Sequence, residues 1–160
     1  MSATEENLPP PTPTRAPNRR QIAFFALVIG LILAAVVRSS LATRLDGFTM
    51  DEAYHITAGV SYWRTGDYRL NPEHPPLVKL WVGAALSGGI FRLPEFRPLQ
   101  DKTDERTFTD TAVFLENDPH RVQSRARFAM FGFNALLLFC FALAVRRALG
   151  STPALCALAF

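Results

Sequence analysis

Cysteine is scarce: the chain has two, Cys140 and Cys156. Both lie inside apolar segments, where a thiol behaves as a small hydrophobe, so neither a disulfide framework nor a zinc motif is available. A basic face with interleaved aromatics is missing too. The net charge of +3 comes from arginines set mostly beside apolar blocks, which removes nucleic acid from the partners. Charge itself is absent from two long runs, Ile22 to Val37 and Phe128 to Val145. Apolar residues gathered in blocks rather than spread at amphipathic spacing are a membrane pattern.

Taken in order, residues 1–20 are rich in proline, threonine and charge, and read as a disordered cytoplasmic tail. Residues 21–42 form the first transmembrane helix. Its uncharged run is a little short of the ~20 residues that span the hydrocarbon, and Arg38 closes the gap by snorkelling. A secretory signal peptide cleaved after Ser40-Leu41-Ala42 is the rival, but the long n-region and the length of the run favour an uncleaved anchor. Residues 124–149 give a second span, where Asn134 can pair with a neighbouring helix. Arg15, Arg19 and Arg20 precede the first span and Arg146-Arg147 follow the second, so the positive-inside rule puts both flanks in the cytoplasm. Arg38, Arg44, Arg121, Arg125 and Arg127 sit on the outer side, to snorkel or to meet an anionic headgroup. Residues 150–160 open a further apolar run, read as the start of a third, truncated span in the front end of a longer multi-pass protein.

The fold expected is therefore mainly α: polytopic membrane helices, with amphipathic interfacial helices in a first extracytoplasmic loop, residues 43–123. Thr49 followed by Glu52 is a capping-box pattern that starts a helix at about 50–64, with Gly66 as terminator. Ala53, Ile56, Val60 and Trp63 form its apolar stripe, and Asp51, His55 and Tyr62 fall on another face. Glu73-His74-Pro75-Pro76 opens a second helix at about 75–87, with Leu77, Leu80, Trp81 and Ala84 as its stripe and Lys79 pointing elsewhere. Gly88-Gly89 breaks it. The remainder to about His120 lacks a clear period and reads as a surface loop.

Two acidic clusters, each at the start of a helix lying just outside a membrane, suit chemistry on a lipid headgroup. Asp51 can take a proton from an attacking hydroxyl or amine; an acidic residue with a histidine can hold a divalent cation against a phosphate. Each residue also has a structural reading. Glu52 can be only the partner of Thr49, and Asp51 suits the helix dipole. His55 can hydrogen-bond Asp51, His74 can cap backbone, and Lys79 can snorkel. The aromatics fit an interfacial belt better than sugar stacking.

The acidic pair Asp51-Glu52 soon after a first span, then Glu73-His74-Pro75-Pro76-Leu77 with Lys79, resembles the integral-membrane C-fold glycosyltransferases. The nearest branch is the one that holds protein O-mannosyltransferases and lipid A aminoarabinose transferases. The likeness covers about Gln21 to Gly150. It implies an inverting transfer from a polyprenyl-phosphate sugar to an extracytoplasmic protein, lipid or glycan acceptor, in the cell envelope. It assigns Asp51 as general base with Glu52 assisting. His55, His74 and Lys79 become substrate-binding, with Lys79 and the outer arginines neutralising the phosphate. Glu73 matches an acidic residue that meets a metal in the aminoarabinose branch, while His74 stands where that branch has lysine, so a divalent cation remains open. Two other classes fit the same residues: a non-catalytic polytopic membrane protein, such as a transporter or assembly subunit, and a secreted or anchored binding module.

Overall fold

A computed structural model describes residues 18–89, 91–95 and 98–159; nearly all of the expected tail lies outside them. Helix α1, Arg19–Ala42, starts on a capping box in which the Asn18 side chain accepts from backbone and Gln21 answers. Helix α5, Pro119–Leu149, runs antiparallel to it. At one end the Arg146 guanidinium lies 4.2 Å from the centroid of the Phe24 ring. At the other, Arg127 Nη1 donates to the Thr43 carbonyl at 2.6 Å. Between them Phe24, Val28 and Ile32 bury against Ala142, with Ala135, Leu138 and Phe139 packed around.

Only 17% of the most apolar window of α1 and 11% of that of α5 are buried, where the core helix of a soluble protein would be mostly covered. Both are long and apolar enough to cross a membrane. Helix α5 also continues about two turns before its apolar run, because Asp118 caps it and Pro119 occupies the first position, where a missing N–H costs nothing. After Gly150, at φ 97°, the short helix α6, Ser151–Ala159, packs Ala154 back into the α1–α5 seam.

Residues 50–118 form a second helical unit at the Thr43 end. Helix α2, Met50–Thr65, has the capping box that its sequence encodes: Thr49 Oγ1 accepts from Glu52 N–H, and Glu52 accepts from Thr49 N–H. Gly66 ends it in the left-handed region at φ 70°. Helix α3, Pro76–Leu86, lies across α2 with backbones touching: a Cβ on Gly59 would sit 2.0 Å from the Lys79 carbonyl oxygen, and one on Gly83 2.0 Å from that of Gly59. This crossing decides which faces are buried, and it corrects both expected stripes. In α2 the run Ile56–Tyr62 is buried throughout, Tyr62 included, while Trp63 is 57% exposed. In α3 Lys79, Val82, Gly83 and Leu86 face inward, leaving Leu77 exposed.

The stretch expected to be a surface loop is also more ordered than its sequence suggests. Helix α4, Lys102–Asp110, is capped by Asp101, whose carboxylate accepts from Thr103 and Asp104 N–H, and it passes into a π-helical turn, Thr111–Leu115. Phe108 packs with Ala58, Tyr62 and Leu70, and Ala112 and Val113 with Ile56, Val60 and Val122. No strand occurs among the described residues.

Candidate active site

The two ends of the Thr49–Lys79 stretch come together through their histidines. After α2 the chain turns at Asn71, at φ 51°, and brings Glu73 and His74 back beside the first half of the helix. There the rings of His55 and His74 meet edge to face, 4.9 Å between centroids at 83°. His55 is half-buried and His74 exposed. Asp51, one turn before His55, is exposed and makes no hydrogen bond or ion pair among the described residues. The expected Asp51–His55 hydrogen bond is therefore not formed.

Lys79 sits beneath this junction at 1% exposure. Its ammonium donates to the Asn71 carbonyl, to the His74 carbonyl at 3.0 Å and to the Tyr62 hydroxyl at 3.3 Å. Tyr62 in turn donates to the Leu70 carbonyl. All three ammonium hydrogens are thus spent on protein oxygens, which leaves none for a lipid phosphate. Burial pulls the Lys79 pKa down, with Glu73 and Glu105 partly opposing. Lys79 binds the turn that carries Glu73 and His74, a task hidden in the sequence because every one of its acceptors is backbone or a tyrosine on another helix.

Glu52 is likewise committed. Arg127 grips its carboxylate with Nε at 2.8 Å and Nη2 at 3.0 Å, and Gln123 donates at 3.1 Å. The same guanidinium donates to the carbonyls of Thr43, Asp46 and Gly47, so one arginine of α5 fixes the whole α1–α2 connector. Burial acts to raise the Glu52 pKa, but the Arg127, Thr49 and Gln123 hydrogen bonds outweigh it and hold the carboxyl below its ordinary range. Glu52 and Arg127 also line an open groove of about 760 Å³ that runs past Phe48 to Asn134.

Glu73 turns away from the histidines to the Lys102 ammonium of α4, which also pairs with Glu105 at 3.0 Å; Glu105 accepts from Asn71 N–H in turn. The Lys102 hydrogen bond holds the Glu73 carboxyl below its usual range. These partners do not fit a divalent cation. A cation already occupies the carboxylate, and among the described residues no three His, Cys, Asp or Glu side chains converge as a metal would need. Of the expected site residues, Asp51, His55 and His74 share one surface, while Glu52, Glu73 and Lys79 hold that surface in place. Sequence reasoning offered Arg127 to the lipid phosphate, where the structure ties it to Glu52 and the connector, put Tyr62 on a face with Asp51 and His55, where it is buried against Lys79, and missed Gln123 and Lys102.

No family model, curated protein or solved structure matches the chain.

Proposed function

We propose that the chain carries the acceptor-activating part of a membrane glycosyltransferase that uses a polyprenyl-phosphate sugar. The observation that carries this reading is Asp51: an exposed carboxylate with no hydrogen bond or ion pair among the described residues, one helical turn before a histidine that packs on a second, in a unit set at one end of two apolar helices. A base must be free to take a proton, and its neighbours must be fixed for it to be in position; Glu52, Lys79 and Arg127 supply that fixing. The α1–α5 pair lies in the membrane with residues 43–123 on the outer face, which leaves Arg19 and Arg146-Arg147 together at the cytoplasmic end. Exposed Met50, Trp63 and Leu77 are apolar surface suited to resting against lipid.

In the reaction, Asp51 removes the proton of an acceptor hydroxyl as its oxygen attacks the anomeric carbon. The lipid phosphate departs from the opposite face, and the configuration inverts. Of the arginines beside the spans on that side, Arg38, Arg44 and Arg125 are exposed and without an ion pair among the described residues, and can face that phosphate, whereas Arg121 pairs with Asp118. Asp51→Asn in the full-length protein, assayed in vesicles with polyprenyl-phosphate sugar, should lower turnover by about 10²–10⁴-fold. Near wild-type turnover removes Asp51 from the role.

A second reading takes its support from the number of charged groups engaged structurally. If residues 50–118 only organise membrane helices, as in a transporter or assembly subunit, Asp51→Asn and His74→Gln will both be silent in every assay of the protein's function.

A further inference from the structure

His55 follows Asp51 by one helical turn, which places their Cβ atoms about 6 Å apart on one side of α2. Its ring is pressed edge-on against His74, and no hydrogen bond reaches either ring nitrogen among the described residues. His55 is half-buried and its ring nitrogens still reach solvent, so packing against His74 positions the ring while its nitrogens stay open to proton exchange.

The charged and titratable groups around it come from three elements: Asp51 from its own helix, His74 from the turn, and Lys79 from α3. The charges of α4, from Lys102, Glu105, Arg106 and Asp110, act instead on Tyr54. Two touching imidazoles above a buried ammonium disfavour a resting positive charge on His55. Burial, then His74 and Lys79, push its pKa below that of a free imidazole, while Asp51 acts in the opposite sense. The neutral imidazole is thereby favoured at His55, one helical turn from the Asp51 carboxylate, which acts to stabilise the protonated form.

We propose that Asp51 and His55 form a proton couple, in which the carboxylate takes the acceptor's proton and hands it to the imidazole that His74 holds in place. The inference rests on the glycosyl-transfer reading of this site. In the balanced step the acceptor O–H bond breaks as its oxygen bonds to the anomeric carbon. The bond from that carbon to the phosphate oxygen breaks, its electron pair leaving with the lipid phosphate. The two side chains share no hydrogen bond, so the proton passes from Asp51 through one bridging water to His55 and then to bulk water. His55 is thus a group that acts through Asp51, and its own nitrogen never touches the sugar.

The chain has three histidines, so ¹⁵N-histidine spectra of the full-length protein in lipid nanodiscs can be assigned by single substitutions to glutamine. Titrated through the histidine range, His55 should show a midpoint below ~6.5. Asp51→Asn should lower that midpoint and His74→Gln should raise it. A His55 midpoint unmoved by Asp51→Asn overturns the couple, whatever the activity.

The second arm uses vesicles containing polyprenyl-phosphate mannose and a hydroxyl-bearing acceptor peptide. His55→Gln should lower kcat about 10–100-fold with an unchanged KM for the lipid donor, and should remove the acid limb of the pH–rate profile. A wild-type kcat and profile in that variant also overturns the proposal. A wild-type protein inert toward lipid-linked sugar, yet with the Asp51–His55 coupling intact in the spectra, counts against glycosyl transfer and for the couple.

Discussion

Glu52 illustrates how a charged side chain next to an exposed carboxylate, Asp51, can serve the scaffold. Its capping hydrogen bond, two bonds from Arg127 and one from Gln123 commit the carboxylate to the scaffold, three of the four falling on Oε2. A double-mutant cycle of Glu52→Gln and Arg127→Gln, read from unfolding midpoints in detergent, should give a coupling of about 1–3 kcal/mol. The pH dependence follows from the depressed pKa of Glu52. The stabilisation is complete above the unfolded value of 4.5 and is lost as the pH falls through the lower folded value. Acid unfolding should therefore begin below about pH 4.5 in the wild type, and Glu52→Gln should flatten that limb. Lys79 makes the complementary case. Lys79→Met keeps the volume but strips the Asn71 and His74 carbonyls of their donor, at a cost of about 1–3 kcal/mol in chemical denaturation. His74 should then lose its ring contact with His55, seen as a shift of both histidine resonances.

At the level of elements, the α2–α3 crossing governs the rest. Gly83→Ala places a methyl 2.0 Å from the Gly59 carbonyl oxygen, where backbone cannot yield as a flexible side chain would. The helices must separate, with a loss of about 1–3 kcal/mol or more and a lower melting temperature. Gly30→Ala in α1, which meets open space inside a helix, should leave the melting temperature unlowered or raise it slightly. Much of this level was legible in the sequence. Thr49, Glu52 and Gly66 bounded α2, and the two prolines and Gly88-Gly89 bounded α3, because caps and terminators act over a few residues. Which sides of these helices are buried was not legible, since that depends on two glycines 24 positions apart, Gly59 and Gly83. Helix α4 escaped detection for a related reason. Its polar sequence offers one large apolar side chain, Phe108, whose partners lie in α2 and the following turn. The Asp101 cap was its local signal.

For the whole molecule, the charge flanks and the two apolar helices predict one arrangement that labelling can check. A single reactive cysteine at Glu116, in a chain with Cys140 and Cys156 replaced by serine, should react with a membrane-impermeant maleimide in intact cells. One at Ala148 should react only after permeabilisation. The reverse pattern, or reaction at both sites from outside, would overturn the orientation. The two long apolar helices were readable from composition alone, whereas their attachment to the α2–α4 unit was not. That attachment depends on Arg127 meeting carbonyls more than 80 residues away, and no local pattern announces it.

Because one guanidinium ties α5 to the connector after α1 and to the cap of α2, the helix pair and the α2–α4 unit must tilt together as a single lever. Parting α1 from α5 at that end means unfastening the carbonyls of Thr43, Asp46 and Gly47 and the Glu52 carboxylate together, while the flank of α2 that bears Asp51 stays outside this latch.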